Sequence, residues 1–243
     1  MTLQRLLICL LISMWGMMLS SCFEIHEELW LHQDTSGRAQ VTCVVPSSAL
    51  LMQGGKLGVE RNIDAFFRDS KSFSSASRSV EELPGGRTRI QVSVAFDSAL
   101  DLARLQNSPA TQRLPSAAVH WMGSVSTRIE GLTLHLRHQR DLGTAVPMLK
   151  MLPPDSLRGG VVETTLHLPE AALRSNAPLV SDGGRTLAWR TSLAEAVASP
   201  IVIELSANIP IPWTFIATTT AGVGTLLAGT GWWWRRRRRS RRQ

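Results

Sequence analysis

The chain has 243 residues, with 26 Lys and Arg against 19 Asp and Glu and a formal net charge of +7. Seven arginines lie in the last nine residues and Arg5 lies near the start, so the remainder carries 18 basic against 19 acidic side chains. The surplus belongs to the tail. That excludes a nucleic-acid-binding domain, which needs a basic face on the fold itself.

Residues 1–21 read as a lipoprotein-type signal peptide. Arg5 precedes an apolar run from Leu6 to Leu19, the order of a secretory leader and short for a membrane span. The run closes on Leu19-Ser20-Ser21-Cys22, which resembles the bacterial lipobox. Cys22 is therefore the expected lipidation site, carrying palmitate-type acyl chains on what becomes the mature N-terminus. Cys9 leaves with the leader, so Cys43 is the one thiol remaining and no intramolecular disulfide is expected.

Strand signals dominate the chain beyond Cys22. Residues 23–32, the turn-rich Gln33-Asp34-Thr35-Ser36-Gly37 and the alternating residues 38–45 predict a hairpin. Cys43 shares a strand face with Val41 and Val45 and reads as a small buried hydrophobe. Val59, Ile63, Phe66 and Phe67 have the spacing of a core-facing stripe on a helix over residues 58–69. A second hairpin runs along residues 74–83, through Pro84-Gly85-Gly86, and back along Ile90, Val92, Val94 and Phe96. The serines between residues 70 and 79 suggest a mobile edge or loop.

Asp97 or Ser98 caps a helix carrying Leu100, Leu102, Ala103 and Leu105. Residues 107–118, with Pro109 and Pro115, read as a loop. Residues 126–138 read as one strand, because Leu132, Leu134 and Leu136 alternate with Thr133, His135 and Arg137. Residues 147–160 read as an irregular connection, and 161–168, 185–191 and 201–209 as three more strands. The sum is α+β: a largely antiparallel β-sheet with a few helices in an extracytoplasmic domain over residues 22–210, followed by a single C-terminal transmembrane helix.

That helix is placed at residues 211–234. No residue from Trp213 to Trp234 is charged, and a helix of this length reaches about 33 Å, enough for a hydrocarbon core of about 30 Å. Trp213 at one end and Trp232, Trp233 and Trp234 at the other suit the two headgroup layers. Arg235, Arg236, Arg237, Arg238, Arg239, Arg241 and Arg242 then mark a cytoplasmic tail, residues 235–243, that sets topology and attracts anionic lipid. Thr220, Gly224 and Ala228 recur at every fourth residue. They form either a helix-packing face for self-association or for another membrane protein, or simply a span of small residues.

An exported N-terminus and a cytoplasmic tail require one crossing. Both tethers are then expected in the bacterial cytoplasmic membrane, with the domain held flat on its periplasmic or cell-surface side.

Chemistry is sparse. His26 and His32 share a strand face with Glu28 but lie about 20 Å apart along it, so no metal site is expected, and no cofactor. His135 and His138 fall on opposite parities. Glu27 and Glu28 diverge, as do Glu81 and Glu82. No Gly-x-Ser-x-Gly elbow occurs, and Gly54-Gly55-Lys56 lacks the flanking residues of a phosphate-binding loop. Trp189, in an alternating strand, reads as core.

The order of lipobox, early hairpin around the Asp34-Thr35-Ser36-Gly37 turn and α+β core is followed by Ser175-Asn176. Then come Asp182-Gly183-Gly184-Arg185-Thr186-Leu187-Ala188-Trp189 and a closing strand ending Leu205-Ser206-Ala207, before the span and basic tail. This pattern resembles the LppM-like envelope lipoproteins, the segment around Trp189 carrying the likeness in residues. The resemblance implies a membrane-tethered extracytoplasmic domain with a fold likened to lipid-binding modules and no established catalytic motif. The expected function is that of a non-catalytic, doubly membrane-tethered lipoprotein whose domain binds lipid or an envelope protein. The alternative is an envelope enzyme acting on lipid or cell-wall precursors. A long apolar groove favours the first, and a cleft with a His or carboxylate cluster the second.

Overall fold

Period-two alternation and turn chemistry build the first sheet. The structure, a computed structural model, describes residues 23–70, 72–99, 105, 108–112, 116–151, 157 and 159–208. In it β1 (Glu24–Leu31) and β2 (Gly37–Pro46) pair antiparallel, as expected. The Asp34 carboxylate sets their turn, accepting from the Ser36 N–H at 3.0 Å and the Ser36 hydroxyl at 2.6 Å. Gly37 is demanded by packing: a Cβ there would lie 2.2 Å from the Trp30 carbonyl oxygen and 2.5 Å from the Phe96 ring.

After a 3-10 turn at Ser47–Gln53, α1 (Gly55–Asp69) carries the apolar stripe, and Phe66 and Phe67 gather around Phe73 with ring centroids 6.0 and 6.2 Å from it. The second hairpin is β3 (Ser75–Leu83) and β4 (Arg87–Phe96), turning at Gly85 and Gly86 with φ of 80° and 70°. The serines from Ser75 to Ser79 are thus part of an edge strand. Arg78 ties that strand to α1 by donating to both Asp64 oxygens, at 2.6 and 2.7 Å.

The middle of the chain departs from expectation. The helix over residues 98–105 falls largely outside the described residues. Within the expected loop, Pro109–Gln112 makes a helical turn and α2 (Ser116–Met122) follows. Pro109 opens its turn because a first helical position needs no N–H, so the proline marks a start there. The single strand expected over residues 126–138 is instead β5 (Ser124–Glu130) and β6 (Thr133–Arg140), folded at Gly131-Leu132. Gly131 supplies the positive φ, 60°. Leu132 sits in the turn yet continues the apolar alternation, which disguises the break.

The rest is α3 (Leu142–Ala145), a 3-10 turn at Pro147–Met151, β7 (Val161–His167), β8 (Arg174–Ser175), β9 (Leu179–Ser181), β10 (Thr186–Ser192), α4 (Leu193–Ala198) and β11 (Ile201–Asn208). Asp141 caps α3 by accepting from the Thr144 N–H at 2.9 Å. Ser192 and Glu195 close a capping box on α4, a Ser-x-x-Glu signal that the sequence carries in plain form.

Two sheets result. The larger has strand order β3-β4-β2-β1-β7-β10-β9, and the smaller β5-β6-β11-β8. Their pairings are antiparallel except for β1 with β7, which run parallel at the centre of the larger sheet. Ile25, Val162, Leu166, Leu187 and Trp189 project from the larger sheet. They pack with Leu142 of α3, Leu193, Ala196 and Val197 of α4, and Ile201, Ile203 and Leu205 of β11. Each such large side chain contributes about 1.5–3 kcal/mol on burial.

No helix among the described residues is long and apolar enough to cross a membrane. Cys22, Trp213, the Trp232-Trp233-Trp234 triplet, the Thr220, Gly224 and Ala228 face, and the arginines from Arg235 onward lie outside the described residues.

Among the described residues, one charged contact crosses between the sheets. Arg140, at the end of β6 and 4% exposed, donates to both Glu27 carboxylate oxygens on β1. It also donates to the Thr164 hydroxyl on β7 at 2.7 Å, and that hydroxyl donates to Glu27 at 3.1 Å. His138, two residues earlier on the same face, donates Nε2–H to the Met122 carbonyl, the two atoms 2.8 Å apart. Burial, and then the Arg140 charge, lower the His138 pKa below its ordinary 6.5, against the pull of the Met122 carbonyl and Glu27.

Arg140→Ala leaves the part-buried Glu27 with the Thr164 hydroxyl but no charged partner, and is expected to cost up to about 3–5 kcal/mol in urea unfolding of the protein. Arg140→Met combined with Glu27→Leu is expected to recover most of that. Because the folded His138 pKa is depressed, its contribution to stability is complete above pH 6.5 and is lost as pH falls below it. The acid limb of the Tm-against-pH curve is therefore expected to flatten in His138→Gln.

Candidate functional site

Strand parity sorts the smaller sheet into two faces. Leu136 and Leu205 point to the core, so their neighbours His135, Arg137, Glu204 and Ser206 point away from it. Cross-strand register then aligns Arg128 with His135, His135 with Ser206, and Ser206 with Arg174, one residue from each of the four strands. The next row sets Ser126 opposite Arg137 and Arg137 opposite Glu204. These side chains line a groove of about 520 Å³.

Within it the His135 Nδ1 lies 2.8 Å from the Ser206 hydroxyl, and the Nε2 lies 3.6 Å from Glu130. Glu130 also holds Arg128 at 2.6 Å, and Glu204 accepts from Arg137 at 2.6 Å. Arg174 is exposed and has no ion-pair partner among the described residues. At the groove wall, the Asn176 side-chain oxygen accepts from the Trp189 Nε1–H and from the Glu204 N–H, both at 2.9 Å. Its amide donates to the Val202 carbonyl at 2.9 Å. Asn176 thus locks the groove to the core through Trp189, which is 6% exposed.

The groove matches neither form anticipated from sequence. It is not a long apolar channel, and each of its carboxylates is already engaged by an arginine.

Other candidate residues are not gathered into a site. His26 lies between Glu24 at 3.9 Å and Glu163 at 3.5 Å, while His32 bonds the Ser36 hydroxyl at 3.0 Å. Glu27 turns inward to Arg140, away from Glu28. Among the described residues no group of three or more His, Cys, Asp or Glu is placed to hold a metal. Cys43 is a free thiol packed against the core, its pKa pushed up to about 12 by burial and then by the charge of Glu27. Trp30 stacks on His167 at 5.2 Å, with the Arg38 guanidinium 4.0 Å above its ring. That trio is a stacked surface row along one register.

Arg128, Arg174 and Ser206 have no local signal in common. They meet only through the pairing of four strands, and His135 comes beside Arg128 only because the chain reverses at Gly131.

No protein family matches the chain, and no curated protein matches it. Among solved structures the chain is similar to the folded domain of LppM from Mycobacterium tuberculosis, determined by NMR. The identity is 12% and the TM-score 0.49, over 79% of this chain and 92% of that one.

Proposed function

We propose that the chain is a non-catalytic, doubly membrane-tethered envelope lipoprotein whose extracytoplasmic domain binds a phosphate-bearing headgroup in the groove of the smaller sheet. The tethers are acylated Cys22 and the span over residues 211–234, with the arginine tail in the cytoplasm. The observation that carries the reading is Arg174, a guanidinium on the groove without a carboxylate partner among the described residues. A planar guanidinium recognises phosphate oxygens through paired N–H donors, and here no existing ion pair must break first.

Arg128 stands three strands away, about 14 Å at the usual strand spacing, and reaches in from the other side. Between them the Ser206 hydroxyl and the His135 ring supply further polar contacts. Arg137 is held by Glu204 and Asn176 by Trp189, so both serve the shape of the wall. A groove open along one sheet face suits a headgroup that stays attached to its lipid.

Native mass spectrometry of the detergent-released full chain is expected to show a bound phospholipid. Arg174→Glu is expected to lower the bound fraction about tenfold or more, since a charge-assisted hydrogen bond contributes roughly 1.5–3 kcal/mol. An unchanged bound fraction in that variant contradicts the assignment of the groove.

A second reading, an enzyme on envelope lipid or wall precursors, is favoured by the Ser206–His135–Glu130 chain. A hydroxyl bonded to an imidazole that faces a carboxylate is the arrangement of an activated nucleophile. Ser206→Ala separates the two readings. As a headgroup contact its loss weakens binding by one hydrogen bond, about 0.5–1.5 kcal/mol. As a nucleophile its loss ends ester hydrolysis while binding persists.

A further inference from the structure

The end of the smaller sheet at which β11 finishes is apolar where its neighbouring row is cationic. Asn208, the last described residue, pairs with Thr133, directly after the Gly131-Leu132 turn of the β5–β6 hairpin. Ile129 pairs with Leu134 and Leu134 with Ala207. Leu173 continues this row, its N–H donating to the Ser206 carbonyl at 2.8 Å. Three of these side chains lie open: Ile129 and Leu132 are each 61% exposed and Leu173 is 57% exposed.

They come from two chain segments, the β5–β6 hairpin and the residue before β8, brought to one end of the sheet by register. One residue back along the strands is the row Arg128, His135, Ser206 and Arg174, which projects from the opposite face of the sheet, so the two rows come together only at the sheet's end. The other exposed apolar side chains of comparable size, such as Leu51, Leu57, Leu179 and Val180, belong to other elements.

We propose that this end of the smaller sheet docks onto the bilayer. Ile129, Leu132 and Leu173 enter the headgroup boundary, and Arg128 and Arg174 meet lipid phosphates. The inference rests on the tethered reading above and names the groove's ligand source as membrane lipid, not a free soluble phosphate.

Three physical facts choose the bilayer as the occupant. Trp213, the first tryptophan of the proposed span, comes only five positions after Asn208, and five extended residues reach at most about 17 Å. Covalent length alone therefore keeps this end of the sheet near the surface that the span enters. Apolar side chains backed by arginines match the layering of that surface, acyl chains beneath phosphates. Finally, exposed leucine and isoleucine tips flanking a cationic row are complementary to an anionic lipid layer in charge as well as polarity.

The test uses the full chain in phosphatidylglycerol-containing nanodiscs. Leu132→Cys and, as a control on the edge strand of the larger sheet, Ser77→Cys are labelled with a bimane maleimide. Cys43 does not compete, because its thiol is buried and stays protonated near neutral pH. Lipids carrying a nitroxide quencher below the headgroup are expected to quench the dye at position 132 several-fold more than at 77. In the same background, adding Leu173→Ser is expected to reduce that difference.

Equal quenching at both positions, in a chain that survives an alkaline wash, overturns the docking while leaving the tethers in place. A dye at position 132 that is shielded from water but not quenched by lipid overturns it in favour of a protein partner or a second copy. Loss of the chain in the wash, or a second dye on Cys22, overturns the tethered reading itself.

Discussion

Two sheets share one core, and a single buried charge cluster fixes how they meet. Arg140 leaves the smaller sheet and ends on Glu27 and Thr164 of the larger one. Taking both charges out of water costs several kcal/mol per ion, so the pair adds little net stability over a well-packed apolar substitute. Its consequence is directional. With Arg140 committed inward, His138 and Leu136 must also face the core, and His135 and Arg137 must face away. A slip of β6 by one residue would expel Arg140 and bury Arg137 without a partner. The polarity of the groove is therefore a corollary of the bridge on the opposite face.

Asn176 adds a second constraint near the other edge of the same sheet. By accepting from the Trp189 indole and from the Glu204 N–H, it couples the strand that carries Arg174 to the aromatic centre of the core. The strands under the groove are thus braced from behind.

Much of the larger sheet is legible from sequence, because its strands alternate and its turns use Asp34, Gly85 and Gly86 in the manner their chemistry favours. The inward burial of Trp189 and Cys43 follows from parity alone. The smaller sheet is harder to read. Leu132 keeps the apolar rhythm through a turn and β8 is too short to show a period, while before β5 Pro109 begins a helical turn inside a segment that its prolines mark as a loop. The groove inherits these difficulties: Arg128, Ser206 and Arg174 become neighbours only after four strands are in register. The Ser192-x-x-Glu195 box is readable in the sequence, yet α4 is absent from the expected elements, because its six residues are too few to show a helical period. Asn176 and Trp189, on separate segments of the sequence, meet in space through their side-chain hydrogen bond.

On the proposed reading, the cationic row and the apolar end of the smaller sheet recognise lipid at the membrane to which the chain is tethered. The most direct measurement of that claim is photocrosslinking of the full chain in native membranes with a phospholipid bearing a diazirine in its headgroup, followed by peptide mapping. Adducts concentrated on the β5–β6 hairpin and on Leu173 to Asn176 are the predicted result. Adducts confined to α1 or to the β3–β4 hairpin would contradict it.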